Sequence, residues 1–256
     1  MQNRKAFFEA VQPPAELIDT SRCALLFSQA INPALDLQQA EAALDSLCED
    51  ARECKIDSAE SLLHFVHQKN RFSGNPDEYY AVENSLLDHV IERRIGIPIS
   101  LALIYLAVGK TSGLSVYGIG FPGHFLVGVK TNGYDSTRDL TLDARFASDA
   151  IPGALIDPFA GRLVSRGQCF NLLDQLYQGR VEHNDSYFAA CGNDTILLRL
   201  IENVKGIYLK QGEAENALTC LDYQLMIAPQ ETNLLSQQQQ LLSHLQEHGG
   251  DASIIH

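Results

Sequence analysis

The sequence predicts an α+β protein in which a small antiparallel sheet lies between two helical regions. Three observations carry that prediction. Apolar residues recur at helical spacing between Pro13 and Asn70. Strand-like runs at Ser115–Gly120 and Phe125–Lys130 are joined by the turn pair Pro122-Gly123. Beyond Arg166 the pattern is helical only. A chain of 256 residues that is 45% apolar has the material for a real core.

Taken in order, Pro13-Pro14 opens a helix running through Ile31, with Leu17, Ile18, Leu25 and Leu26 toward one face. A second helix, about Asp36–Cys54, places Leu37, Ala40, Leu44, Leu47 and Ala51 at helical spacing. Asp57 and Glu60 read as a capping pair for a third helix, Ser58–Asn70, which carries His64 and His67 as near neighbours. Phe72–Pro76 is a turn cluster, and Asn84 is placed to cap a helix Ser85–Arg94. After the two strands, Thr131–Thr137 reads as a hairpin-like loop, Leu140–Leu142 as a short strand and Ala154–Ile156 as a further extended segment. The C-terminal part holds a helical hairpin, Asn193–Lys210 and Glu213–Ala228, broken at Gly212, followed by a glutamine-rich helix Glu231–Glu247. Tyr208, Ala217 and Pro229 fall at tetratricopeptide spacings. The expected organisation is an N-terminal helical region 1–83 packed on the core, an α+β core 84–165 and a TPR-like helical region 166–256.

Composition narrows the function. A net charge of −13, with no basic run, argues against nucleic acid and against anionic membranes. The longest apolar block, Leu101–Val108, falls short of the roughly 18 residues a membrane span needs. The opening segment MQNRKAFFEAVQPP lacks the apolar stretch of a signal peptide, so a cytoplasmic location is expected. Six cysteines are scattered without a CxxC pair, so neither a zinc site nor a disulfide framework is predicted, and no metal or other cofactor is expected.

The chain is organised around Asn84–Val129. Arg94–Ser100 is a tight turn leading into an apolar helix, whose free N–H groups and positive dipole end would face whatever precedes it. His124 sits in a Pro-Gly turn at the mouth of a strand, as a general base would, or as a structural imidazole bonding a carbonyl. Asp157, in Ile156-Asp157-Pro158-Phe159, either orients that imidazole or initiates an Asp-Pro turn. Ser100 is a candidate nucleophile, but first-turn hydrogen bonding is the favoured role for its residue type. Arg94 suits a carboxylate or backbone carbonyls near the cleft, or complements a helix dipole.

Phe72-Ser73-Gly74-Asn75, Tyr79-Tyr80, Asn84-Ser85, Glu92-Arg93-Arg94, Gly96–Leu101, Phe121–Phe125 and Asp157-Pro158-Phe159 together resemble the SirB-type bacterial proteins. The resemblance runs from about Leu62 to Pro229. It implies a papain-like core of the transglutaminase-like superfamily, with tetratricopeptide-type helices at the C-terminus. The superfamily's site is a Cys at a helix N-terminus, a His on a strand and an Asp on the next strand. His124 and Asp157 match the last two. The pattern of Gly, one residue, Cys, three residues, Ala overlays Gly96, Pro98 and Ala102 without a gap, so Pro98 stands where the cysteine would. Proline is at ease in a helix's first turn.

Three functions follow as expectations. The favoured one is a non-catalytic regulatory protein whose cleft, bordered by Asn84, Arg94 and Pro98, holds a protein or peptide partner. The resemblance implies a link to gene regulation through such partners. The alternative is a serine-variant hydrolase or acyltransferase using Ser100, His124 and Asp157. The third is a purely structural helical scaffold.

Overall fold

The computed structural model describes residues 2–130 and 153–249, and shows an α+β architecture. The expected loop Thr131–Thr137 and strand Leu140–Leu142 lie outside the described residues. The N-terminal region comprises α1 (Gln2–Ala10), α2 (Thr20–Ile31), α3 (Leu37–Glu53) and α4 (Ala59–Leu63), the last continuing as a π-helical turn, His64–Lys69. The centre comprises β1 (Ser73–Gly74), α5 (Leu87–Arg93), β2 (Ile95–Gly96) and α6 (Pro98–Thr111). A four-stranded antiparallel sheet follows in the order β3 (Val116–Ile119), β4 (Leu126–Lys130), β5 (Gly153–Asp157), β6 (Arg162–Val164). The remainder is helical: α7 (Arg166–Tyr177), α8 (Asn193–Gln211), α9 (Ala214–Ile227) and α10 (Thr232–Gly249).

Several boundaries differ from the sequence reading. The prolines do not open a long helix. They lead into a single 3-10 turn at Ala15–Leu17, and α2 starts only where the Asp19 carboxylate accepts the N–H groups of Ser21 and Arg22. The cap of α4 is a reciprocal pair of serines rather than Asp57 and Glu60. Ser58 Oγ accepts from Ser61 N at 3.2 Å, and Ser61 Oγ accepts from Ser58 N at 3.0 Å. Asn84 does not cap α5, which begins at Leu87. Its side chain is buried and donates to the carbonyl of Glu78 at 2.6 Å, while Ser28 Oγ on α2 accepts the N–H of Leu87. Beyond Arg166 the chain also contributes one extended contact, the bridge between Ala190 and Ile119.

Helix α6 is the axis of the molecule. Its residues Pro98–Tyr105 are all buried, and it packs against α2, α3, α4, α5, α8 and strands β3 and β4. That central place explains its composition: a helix surrounded on every side needs no polar face. One apolar core runs from Phe7 on α1 through the residues of α6 to Tyr223 on α9, so the N-terminal, central and C-terminal parts share it. A smaller cluster, with Phe121, Leu126, Phe170 and Leu173, fills the other side of the sheet under α7.

The short parallel pair β1–β2 ties the chain ahead of α5 to the entry of α6, with Ser73 opposite Ile95 and Gly74 opposite Gly96. Arg94 closes α5 in the left-handed region at φ 61°. Its carbonyl accepts from Ser73 N at 2.9 Å. This brings the Phe72–Asn75 segment to the start of α6.

Candidate active site

The histidine is placed by a turn whose residues dictate its geometry. Phe121-Pro122-Gly123-His124 closes through His124 N to Phe121 O at 3.0 Å. Proline at the second position and a glycine at φ +69° at the third are what a type II turn requires. A side chain at Gly123 would also meet Leu176 and Tyr177 of α7. Arg199 of α8 then clamps the turn from the far side. Its Nη2 donates to Phe121 O at 2.9 Å and to His124 O, and its guanidinium lies over the Phe125 ring.

Antiparallel pairing of β4 with β5 carries Asp157 to the histidine. Val127 pairs with Ile156, so Asp157 ends β5 beside the start of β4. His124 Nε2 and Asp157 Oδ1 are 2.9 Å apart, with side chains only 10% and 8% exposed. The same carboxylate oxygen accepts the N–H groups of Phe159 and Ala160 at 3.0 and 3.1 Å, the turn chemistry an Asp-Pro sequence favours. Burial by itself raises the Asp157 carboxyl, but the hydrogen bond and charge of His124 and the two backbone donors outweigh it and hold the group below its ordinary value. Asp157 therefore accepts as a carboxylate and Nε2 of His124 carries the proton. Nδ1 is the ring nitrogen left for other chemistry, with no protein partner among the described residues.

Ser100 is not brought to this pair. Its hydroxyl is fully buried, donates to Asn84 O at 2.5 Å and to Ile97 O at 3.2 Å, and accepts from Ile97 N at 3.1 Å. The helical wheel explains why. At about 100° per residue, Ser100 sits roughly 200° around α6 from Pro98, whereas Ala102, Tyr105 and Gly109 lie on the Pro98 side. That stripe faces the sheet: a side chain at Gly109 would run into Val116 of β3. The Tyr105 phenol, raised by burial and then by the charge of Asp157, sits within the field of the β5 carboxylate. Ser100 points the opposite way, so the Ser100–His124–Asp157 triad is not assembled. Pro98 is buried at the first position of α6, on the face toward the sheet.

The cysteines offer no replacement. All six are free, and Cys169 of α7 is the one whose thiol senses Asp157. Burial, followed by that carboxylate, pushes it up to about 12, which leaves it a neutral thiol at physiological pH. His67 and His64 form no metal site: His67 Nδ1 lies 2.7 Å from Phe72 O, and among the described residues no group of three or more His, Cys, Asp or Glu side chains is arranged to hold a metal.

The cleft residues inferred from sequence divide by role. Asn84 is a structural hub, its carbonyl receiving both Ile97 N and Ser100 Oγ. Arg94 stacks over Phe72 at 4.6 Å, and its buried Nη1 has no acceptor among the described residues. Three side chains around the dyad had been given no role from sequence, although Phe159 stood in one of the motifs. Arg199 holds the His124 turn, and the buried Tyr105 hydroxyl has no hydrogen-bond partner among the described residues. Phe159 presents its ring to His124 at 6.5 Å and to Tyr79 at 5.8 Å. The seven-residue step from Pro98 was a sequence signal for Tyr105; for Arg199 there was none.

A helix N-terminus packed against an antiparallel sheet, with a His–Asp pair on neighbouring strands, defines the architecture of transglutaminase-like proteins. The chain belongs to the transglutaminase-like superfamily, whose family model matches residues 35–202. It is 31% identical over 175 residues to a UPF0162 protein of Xylella fastidiosa strain Temecula1, an alignment covering 67% of this chain and 56% of that protein. The chain thus spans little more than half the length of that relative. A UPF0162 protein of Vibrio cholerae is 27% identical over 212 residues, 80% of this chain and 72% of that one. F-box only protein 21 of Mus musculus is 26% identical over 190 residues, covering 73% of this chain and 28% of its own. No solved structure matches the chain.

Proposed function

We propose that this chain is a non-catalytic, cytoplasmic regulatory protein of SirB type that holds a segment of a protein partner in its transglutaminase-like cleft. The observation that carries the reading is a fully formed His124–Asp157 pair with no nucleophile brought to it among the described residues, Pro98 standing at the start of α6 and Ser100 turned away into its own helix. An oriented imidazole whose Nδ1 has no protein partner among the described residues is a hydrogen-bonding group as well as a base, and with no protein nucleophile beside it among those residues the first use is the one proposed. The α8–α9 hairpin, read as TPR-like, supplies a second surface. No helix among the described residues is long and apolar enough to cross a membrane, which accords with the location proposed.

The test is a peptide selected from a random library against the full chain. His124→Ala is expected to weaken that peptide about tenfold or more, the loss of a charge-assisted or buried hydrogen bond, while the melting midpoint stays near that of the parent. Selected peptides indifferent to His124→Ala would overturn the reading. A fluorophosphonate adduct on Ser100 would also overturn it and establish the serine-variant hydrolase or acyltransferase, since Ser100 Oγ would then have to leave Asn84 and Ile97.

A further inference from the structure

Arg199 touches the His124 turn and has no charged partner among the described residues. Of the other cations with little exposure, Lys205 lies 2.6 Å from Glu202 and Arg166 lies 3.1 Å from Asp185, whereas Arg94 is stacked on Phe72 and its Nη1 has no acceptor among the described residues. Arg199 is largely buried, yet no carboxylate pairs with it among the described residues. Burial pulls its pKa down, and the groups that pull it back up are Cys191, Tyr79 and Tyr177, none of them a carboxylate.

Two carbonyls, Phe121 O and His124 O, occupy Nη2, and the Phe125 ring supports the plane of the guanidinium. Nη1 and Nε have no protein acceptor among the described residues. Nη1 lies over Gly120, where even a Cβ would come within 3.3 Å. The group is therefore fixed in direction, and a ligand meeting it has little ordering left to do. Its surroundings suit a peptide. Leu176 and Tyr177, beside Gly123, are exposed, and Tyr79 packs on the Phe159 ring that faces His124.

We infer that Arg199 is the anion-recognition group of this cleft and that the partner segment presents a carboxylate to it, from an acidic side chain or a chain terminus. The inference rests on the peptide-binding reading above and adds the chemical class of the ligand. Nη1 and Nε donate to the carboxylate while the aromatic rim covers the neighbouring apolar atoms. The net charge of −13 works against long-range attraction, so the contact draws on short-range hydrogen bonding rather than steering.

The experiment is a titration of the full 15N-labelled chain, following the Arg199 Nε–H resonance and the amides of Gly118, Gly120 and Gly123. Three probes are used: N-acetyl-glutamate N-methylamide, N-acetyl-alanyl-alanine with a free C-terminus, and the neutral N-acetyl-glutamine N-methylamide. At least one carboxylate probe is expected to produce saturable shifts, about tenfold tighter than the neutral one, as befits a charge-assisted bond. The two charged probes separate a side-chain from a terminal carboxylate. Arg199→Gln is expected to abolish the difference, and Arg199→Lys to restore part of it. Equal binding of the charged and neutral probes would overturn the carboxylate inference and leave the peptide-binding reading standing. The absence of shifts with all three would also overturn it, while the peptide-binding reading is judged separately by the His124→Ala comparison. Because the probe comparison is made on the unaltered chain, it holds even where an Arg199 variant fails to fold.

Discussion

His124 Nε2 and Asp157 Oδ1 stand 2.9 Å apart, and that one carboxylate oxygen also receives the N–H groups of Phe159 and Ala160. The turn after β5 and the turn before β4 are thereby joined through a single atom. The arrangement fixes the imidazole's tautomer and direction whatever the cleft does with it. It also makes Asp157 part of the fold's electrostatics, with a consequence for stability against pH.

Asp157→Asn is expected to lower stability at pH 7 by about 1–3 kcal/mol, the range for losing a charged partner in a buried hydrogen bond. The folded carboxyl binds its proton less readily than the unfolded one. The unfolded state therefore takes up more protons in that interval, and the parent loses stability as pH falls from the ordinary Asp value of about 3.9 toward the lower folded value. The variant lacks this loss, so the two stability curves converge on the acid side. Urea midpoints from pH 7 down through that interval check it, and a gap independent of pH would remove the carboxylate from the account.

Ser100→Ala is expected to cost about 1–3 kcal/mol by removing the hydroxyl's buried hydrogen bonds with Asn84 and Ile97, whose backbone groups keep the partners Ile97 N, Leu101 N and Asn84 O. The same change should leave peptide binding as it was, because the hydroxyl faces away from the sheet. Chemical denaturation and a binding isotherm on the same preparation separate the two effects. Loss of binding with unchanged stability would place Ser100 in the cleft after all.

What the sequence made legible was local. The start of α3 near Asp36, Gly212 ending α8 at φ 75°, and the Pro-Gly turn before β4 each act within a few residues. His124 and Asp157 were linked because both end strands in a short antiparallel unit. Asn84 and Arg199 were not legible because their partners are distant or accidental to their residue type. Asn84 has the composition of a cap, yet its amide goes to Glu78 in a neighbouring loop. Arg199 reaches 75 residues back to the His124 carbonyl, a contact no period or spacing encodes. Ser100 shows the converse: its own residue type favoured the first-turn bond it makes over the catalytic role.

Lys205 is expected to be a fastener of the C-terminal helices. It is 1% exposed on α8 and donates to Gln224 of α9 at 3.0 Å and Gln237 of α10 at 2.7 Å, beside Glu202. Lys205→Ala should cost about 2–4 kcal/mol through two stranded amide oxygens and an unfilled volume. Lys205→Met keeps the stem and should lose less. Thermal melts of the two variants test the order, and equal losses would mean that packing of the stem contributes nothing.

Gly74→Ala probes how the Phe72–Asn75 segment supports the site. A Cβ at Gly74 would fall on the Phe159 ring, whose backbone carbonyl accepts from Gly74 N at 3.1 Å. The ring must shift, and overpacking of this kind costs about 1–3 kcal/mol. The Phe159 edge should then move off His124, visible as a change in the histidine's ring-proton shifts. A stability loss without any change at His124 would confine the effect to the β1–β2 pair.

Pro98→Cys compares the two candidate positions for a nucleophile directly. Pro98 opens α6 on the face shared with Tyr105 and Gly109, toward the sheet that carries the dyad, whereas Ser100 lies roughly 200° around the helix. A thiol at position 98 would have the helix N-terminus behind it and His124 on the sheet it faces, both of which favour a thiolate. Its alkylation by iodoacetamide is expected to reach half its maximal rate below the ordinary thiol pKa of about 8.5. Ser100→Cys should alkylate slowly at every pH, because that site is sealed between Asn84 and Ile97. His124→Ala in the Pro98→Cys background should return the midpoint toward the ordinary value. Fast alkylation at position 100 together with none at 98 would reverse the register of α6 against the sheet and restore Ser100 as the residue facing the dyad.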